Sequence, residues 1–125
     1  MKRFDRLIGI AYSMLDLPDT KYKHFSFLIK RNKIVSVGYN LSFKTDPLAK
    51  KYNYRFNNIH SELKAILNYP FPPATLSKYT MVNIRIMGNG SIGLSKPCKK
   101  CQQLLRDFGI SRVWYSTFTE GFKKL

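Results

Sequence analysis

At 125 residues, 44% of them hydrophobic and 14% aromatic, the chain has enough apolar side chain for one packed core and is not a disordered polymer. Its 22 lysines and arginines outnumber seven acids for a net charge of +15, which points to anionic partners: nucleic acid first, then an anionic membrane surface or phosphorylated small molecules. No run of about 18 apolar residues exists, so no membrane-spanning helix is expected.

Phe4, Leu7, Ile8, Ala11, Met14 and Leu15 recur at helical spacing and Pro18 closes the segment, predicting an amphipathic first helix. Lys2 and Arg3 before this apolar stretch faintly resemble a targeting peptide, but Asp5 and Asp16 flank it and no small-x-small cleavage site follows. A cytoplasmic, intracellular protein is expected. His24 to Lys30 and Lys33 to Tyr39 alternate as strands and meet at Arg31-Asn32, predicting a hairpin. Residues 41 to 59 are polar, basic and aromatic without a period and read as a loop. Glu62 to Asn68 reads as a second helix stopped by Pro70, and Thr80 to Met87 as a third strand. That strand meets the turn Gly88-Asn89-Gly90-Ser91, then an extra ribbon at Ile92 to Leu94. Cys98 to Phe108 is a third helix capped by Gly109, and Arg112 to Phe118 a fourth strand. Phe122 to Leu125 could return as a short antiparallel strand. This order predicts an α/β sandwich around a mixed sheet.

The two cysteines lie in Pro97-Cys98-Lys99-Lys100-Cys101. Alone, C-x-x-C fits a redox pair, half a zinc site or coincidence. The spacing puts both sulfurs on the first turn of a helix, where the dipole favours the thiolate that a metal ligand must be. One of the two histidines stands in His60-Ser61-Glu62, beside one of only two glutamates. His24, the other, reads as an ordinary strand-end residue; as a fourth ligand it would close the site into a structural zinc knuckle.

Together, His60-x-Glu62 and Pro97-Cys98-x-x-Cys101 form the signature of zinc nucleobase deaminases. Over nearly the whole chain the sequence resembles the cytidine deaminase superfamily, nearest in outline to small phage- or toxin-type cytosine deaminases. The resemblance implies a three-layer α/β/α sandwich around a mixed four- to five-stranded sheet, in one domain spanning residues 1–125. It implies one zinc held by His60, Cys98 and Cys101, with the fourth tetrahedral position left for water. Positions two apart on a helix differ by about 200°, so Glu62 is better placed to move protons than to ligate beside His60. Substrate contacts implied by the family are Asn40 in Gly38-Tyr39-Asn40, the Ser61 main-chain N–H and the Lys96 carbonyl. Lys99 and Lys100 depart from the family pattern.

The stretch before His60 interleaves cations with aromatics: Phe43, Lys50, Lys51, Tyr54 and Arg55 would serve a single-stranded nucleic acid, with charges on phosphates and rings on bases. Alternatively, its tyrosines pack on the core and its lysines are merely solvated. The expected function is deamination of cytosine to uracil in single-stranded DNA or RNA. The alternatives are a free cytidine, deoxycytidine or dCMP deaminase, and an inert nucleic-acid-binding module that kept the fold.

Overall fold

The computed structural model describes residues 2–42, 46–52, 54 and 59–125, with the side chains of Lys2 and Arg3 left aside. Helix α1 (Lys2–Ser13) ends sooner than its apolar period suggests, because residues 14–16 turn away after Met14 N–H bonds the Ala11 carbonyl. Strands β1 (Lys23–Lys30) and β2 (Lys33–Tyr39) form the expected hairpin. Arg31 and Asn32 both take positive φ, 51° and 63°, the conformation that a two-residue turn between twisted strands needs.

Residues 41 to 59 are not wholly loop. Asp46 caps a short helix α2 (Pro47–Lys51) by accepting the Leu48 N–H at 2.9 Å, with Pro47 at the position where its missing N–H costs nothing. The base of this excursion is closed by two hydrogen bonds of 2.9 Å between Leu41 and Ile59. Helix α3 (Ser61–Asn68) follows at once, then a 3-10 helix over Pro73–Lys78 that the prolines there disguised in the sequence. Next come β3 (Thr80–Ile86), β4 (Ile92–Gly93), α4 (Lys99–Asp107), β5 (Arg112–Ser116) and β6 (Phe122–Lys124).

Among the described residues six strands make one mixed sheet of order β2-β1-β3-β5-β6, with β4 also on β3. That exceeds the expected four or five, because the ribbon and the tail both pair. Only β3 and β5 run parallel, joined through α4. The expected three layers are present. On one face Phe4, Leu7 and Ala11 of α1 bury against Phe25, Phe27, Val82, Ile84 and Ile86. On the other, Leu63 and Ile66 of α3 and Leu104 and Leu105 of α4 bury against Leu28, Met81 and Val113. Each large side chain removed from water contributes roughly 1.5–3 kcal/mol, and this second layer points the N-termini of α3 and α4 at one end of the sheet.

The contact of α3 with β2 leaves room only for glycine at position 38: a Cβ there would lie 2.2 Å from both the Ala65 nitrogen and the Ser61 oxygen. Gly38→Ala should therefore destabilise the fold by about 3 kcal/mol, seen as a lower urea midpoint. Gly88→Ala, where a Cβ meets nothing within 4 Å, should stay within about 0.5 kcal/mol of the parent. Equal midpoints for the two variants would show that α3 lifts freely off β2.

Candidate active site

The two motifs open α3 and α4 as expected, and the sheet brings them together. His60 precedes α3 and Cys98 caps α4, its sulfur accepting the Cys101 N–H at 3.5 Å. His60 Nδ1 lies 3.8 Å from Cys98 Sγ and 3.5 Å from Cys101 Sγ, and all three donors fall within 4.8 Å of one another. A tetrahedral zinc with ordinary Zn–S and Zn–N bonds needs nitrogen–sulfur separations of roughly 3.6 Å. The donor set fits the metal, and His24 does not belong to the cluster.

Proton sharing within the cluster points the same way. Cys98 is brought down to about 3 by a hydrogen bond from the Cys101 thiol, helped by His60 and the Cys101 N–H. Cys101 is pushed up by that same bond and by burial. Burial pulls His60 down, yet its bond to Cys98 and the charges of Glu62 and Cys98 outweigh this and leave it raised. Without a cation only one sulfur ionises readily; a dication in their midst would let both do so.

Tyr54, expected as a stacking platform, lies half-buried against this cluster. Its hydroxyl shares a hydrogen bond of 2.9 Å with Cys101 Sγ, and its ring lies 4.5 Å from that of His60. Tyr52 likewise packs on the core and donates its hydroxyl to Asp107. Lys50 and Lys51 are exposed on α2, whereas Phe43 and Arg55 lie outside the described residues.

Glu62 is only 6% exposed, in the first turn of α3, where its charge suits the helix dipole. Burial raises its carboxyl above the usual range. Beneath it lies a polar ring that the sequence did not advertise. Asn83 Nδ2 donates to Glu62 Oε2 at 3.0 Å, Ser61 Oγ to Oε1 at 3.2 Å, and Ser26 joins Ser61 to Asn83 at 2.8 and 2.7 Å. By alternation Ser26 and Asn83 read as outward polar positions, so the pattern carried no signal of the ring. Beside the ring, Ser95 donates to the Asn83 carbonyl and meets Ser116 Oγ, each at 2.8 Å. The β4 ribbon feeds the chain into this contact. After it, exposed and buried residues alternate from Leu94 to Cys98, which buries Ser95 and displays Lys96.

A cleft of about 360 Å³ opens over these groups, lined by Asn40, Ser61 and Lys96 as expected, and also by Tyr22 and His24. The Asn40 amide donates to Thr20 Oγ1 and the Tyr22 carbonyl while accepting the His24 N–H, so it holds the cleft wall together. His24 is thus a cleft residue, not merely a strand end.

The sequence matches the family described as the cytidine and deoxycytidylate deaminase zinc-binding region over residues 6–117. No curated protein sequence matches it significantly. Among solved structures, it is similar to the cytidine deaminase of Burkholderia pseudomallei, with TM-score 0.63 and 15% identity, covering 96% of this chain and 89% of that one. The cytidine deaminase of Mycobacterium leprae gives 0.60 and 16%, with 97% and 92% covered. The dCMP deaminase of cyanophage S-TIM5, solved with dCMP and dUMP, gives 0.60 and 15%, with 91% and 80% covered. At these identities the likeness is one of fold.

Burial, then the charges of Arg85 and His60, lowers His24 from 6.5 to about 4. Between those values the unfolded chain binds the extra proton, so stability present above pH 6.5 is lost as the pH falls toward 4. The loss attributable to His24 is at most about 3 kcal/mol. In His24→Gln that part of the acid slope should vanish in urea titrations across this window, leaving the slope from the metal ligands common to both proteins. Superimposable profiles would show His24 titrating normally.

Proposed function

Because the chain belongs to the cytidine and deoxycytidylate deaminase zinc-binding family, we propose that it hydrolyses cytosine to uracil in single-stranded DNA or RNA. Membership makes it a zinc-dependent hydrolytic deaminase, and His60, Cys98 and Cys101 make a site for the metal. The observation that carries the reading is a buried carboxylate, Glu62, in the cleft that His60 and Cys98 of the three-donor cluster also line.

Hydroxide at neutral pH is the chemistry that zinc supplies, by lowering the pKa of water from about 15.7 toward 7. The remaining work falls to the chain. Oxygen adds to the ring carbon bearing the amine; Glu62 carries one proton of the water to the ring nitrogen, then the second, from the new hydroxyl, to the departing amine as the carbonyl forms. The carbon–nitrogen bond breaks and ammonia leaves. A carboxyl whose pKa is raised by burial suits both halves of that transfer. Asn83 and Ser61 fix the direction in which it points. The Ser61 N–H and Lys96 carbonyl are the groups for the base's own carbonyl and amine, with Asn40 at the wall.

A polynucleotide substrate is supported by the net charge of +15 and by exposed cations at Lys96 in the cleft, at Lys99 in the first turn of α4, and at Lys50 and Lys51 on α2. Charges spread so widely exceed what one nucleotide phosphate requires. Free dCMP is the second reading, favoured by the likeness to the cyanophage enzyme solved with dCMP and dUMP.

Glu62→Gln should keep its fold and one zinc per chain while losing about 10²- to 10⁴-fold in turnover. Cys101→Ser should lose the metal, as read by elemental analysis. Turnover within a few-fold of the parent in the glutamine variant would remove Glu62 from the chemistry. The substrate is decided by rates on a cytosine oligonucleotide, deoxycytidine and dCMP at low and high salt. Preference for the oligonucleotide, weakening as salt rises, is expected; faster turnover of the monomers, indifferent to salt, would leave the second reading.

A further inference from the structure

Tyr22 gathers two cations. Lys21 Nζ and the Arg85 guanidinium carbon each lie 5.3 Å from the centre of its ring. Tyr22 is 51% exposed and lines the cleft that holds His60 and Glu62. Neither cation has a carboxylate partner, for among the described residues the one ion pair joins Glu120 to Lys123. Arg85 Nε is, among the described residues, the one buried side-chain nitrogen or oxygen without a hydrogen bond. Buried polar atoms are nearly always paired, and two cations around one ring raise the local positive potential that attracts an anion.

The β-ladder locates this cluster relative to the chemistry. Asn83, which donates to Glu62, pairs across the sheet with Ser26; Arg85, two residues on, pairs with His24. Residues two apart share a face and stand about 6.6 Å from one another. Arg85 therefore occupies the next rung from the residue that grips the carboxylate, beside a histidine and a tyrosine that both line the cleft. Lys96 lines the same cleft beside Cys98.

We infer that Lys21, Tyr22 and Arg85 form an anion subsite that binds a phosphate of the substrate, an inference that rests on the deaminase reading above. The planar guanidinium presents paired N–H donors to phosphate oxygens, with the Tyr22 ring beside it and Lys21 adding charge. The phosphate is either the monoester of a nucleotide or a diester of a strand, and the two are distinguished by substrate.

The parent protein, Arg85→Ala and Arg85→Lys are compared for kcat/KM on deoxycytidine, dCMP and a cytosine oligonucleotide with unphosphorylated ends. The alanine variant should lose about 10- to 100-fold on phosphate-bearing substrates and stay within twofold on deoxycytidine, with lysine intermediate. Loss on dCMP assigns the monoester, and loss on the oligonucleotide the diester. Equal losses on all three substrates, or none on any, would overturn the subsite. Calorimetric binding of dUMP and of uridine, which needs no turnover, separates this from the deaminase reading. If the parent turns over none of the substrates, that reading fails. The subsite still stands if Arg85→Ala weakens dUMP binding at least tenfold and leaves uridine unchanged, and falls if dUMP binds both proteins alike.

Discussion

At Gly38 the backbones of β2 and α3 come so close that a methyl group would lie 2.2 Å from the Ser61 oxygen and from the Ala65 nitrogen. This contact sets the height of α3 above the sheet, and with it His60, Ser61 and Glu62, which lie in or beside its first turn. Ser36 strengthens it by donating to the Ala65 carbonyl at 2.6 Å, and Asn68 by donating to the Val37 carbonyl at 2.9 Å. The Leu41–Ile59 bridge then fixes where the chain enters the helix. With α3 seated in this way, the N-terminus of α4 needs only the β3–α4–β5 crossover to bring Cys98 and Cys101 opposite His60.

Under the site the protein buries what most cores avoid. Ser26, Ser61, Glu62, Asn83, Ser95 and Ser116 are each at most 6% exposed, and they form a connected network between the sheet and the two helices. An unpaired member would cost about 1–3 kcal/mol, so the network is sensitive to any change in the spacing of β1, β3 and β5. In return it holds the Glu62 carboxylate in one direction.

Much of this was legible in the sequence, for local reasons. The apolar period of α1, the turn at Arg31-Asn32, and the spacing of His60, Glu62, Cys98 and Cys101 are each set within a few residues, so pattern and chemistry coincide. What escaped depends on distance along the chain. Ser26 and Asn83 are 57 residues apart, and each by itself looks like the solvated polar position of an alternating strand. Arg85 and Tyr22 meet only because β1 and β3 pair. Tyr54 was read by composition as a base-stacking residue, but the fold turns it toward Cys101. The start of α2 was readable from Asp46-Pro47, a capping acid followed by proline, and was masked by the basic residues around it.

The ring around Glu62 has a consequence that appears when its hydrogens are counted. Ser26 and Ser61 own two hydroxyl hydrogens, while three oxygen–oxygen contacts join Asn83 Oδ1, Ser26, Ser61 and Glu62 Oε1, at 2.7, 2.8 and 3.2 Å. With the carboxylate ionised, the chain of contacts is one hydrogen short. A proton on Oε1 completes it: Glu62 donates to Ser61, Ser61 to Ser26, and Ser26 to Asn83. At most two hydroxyl rotations are needed, with no heavy atom displaced. The interior is therefore one hydrogen short while Glu62 is ionised, and its chain of contacts is complete when Glu62 carries a proton.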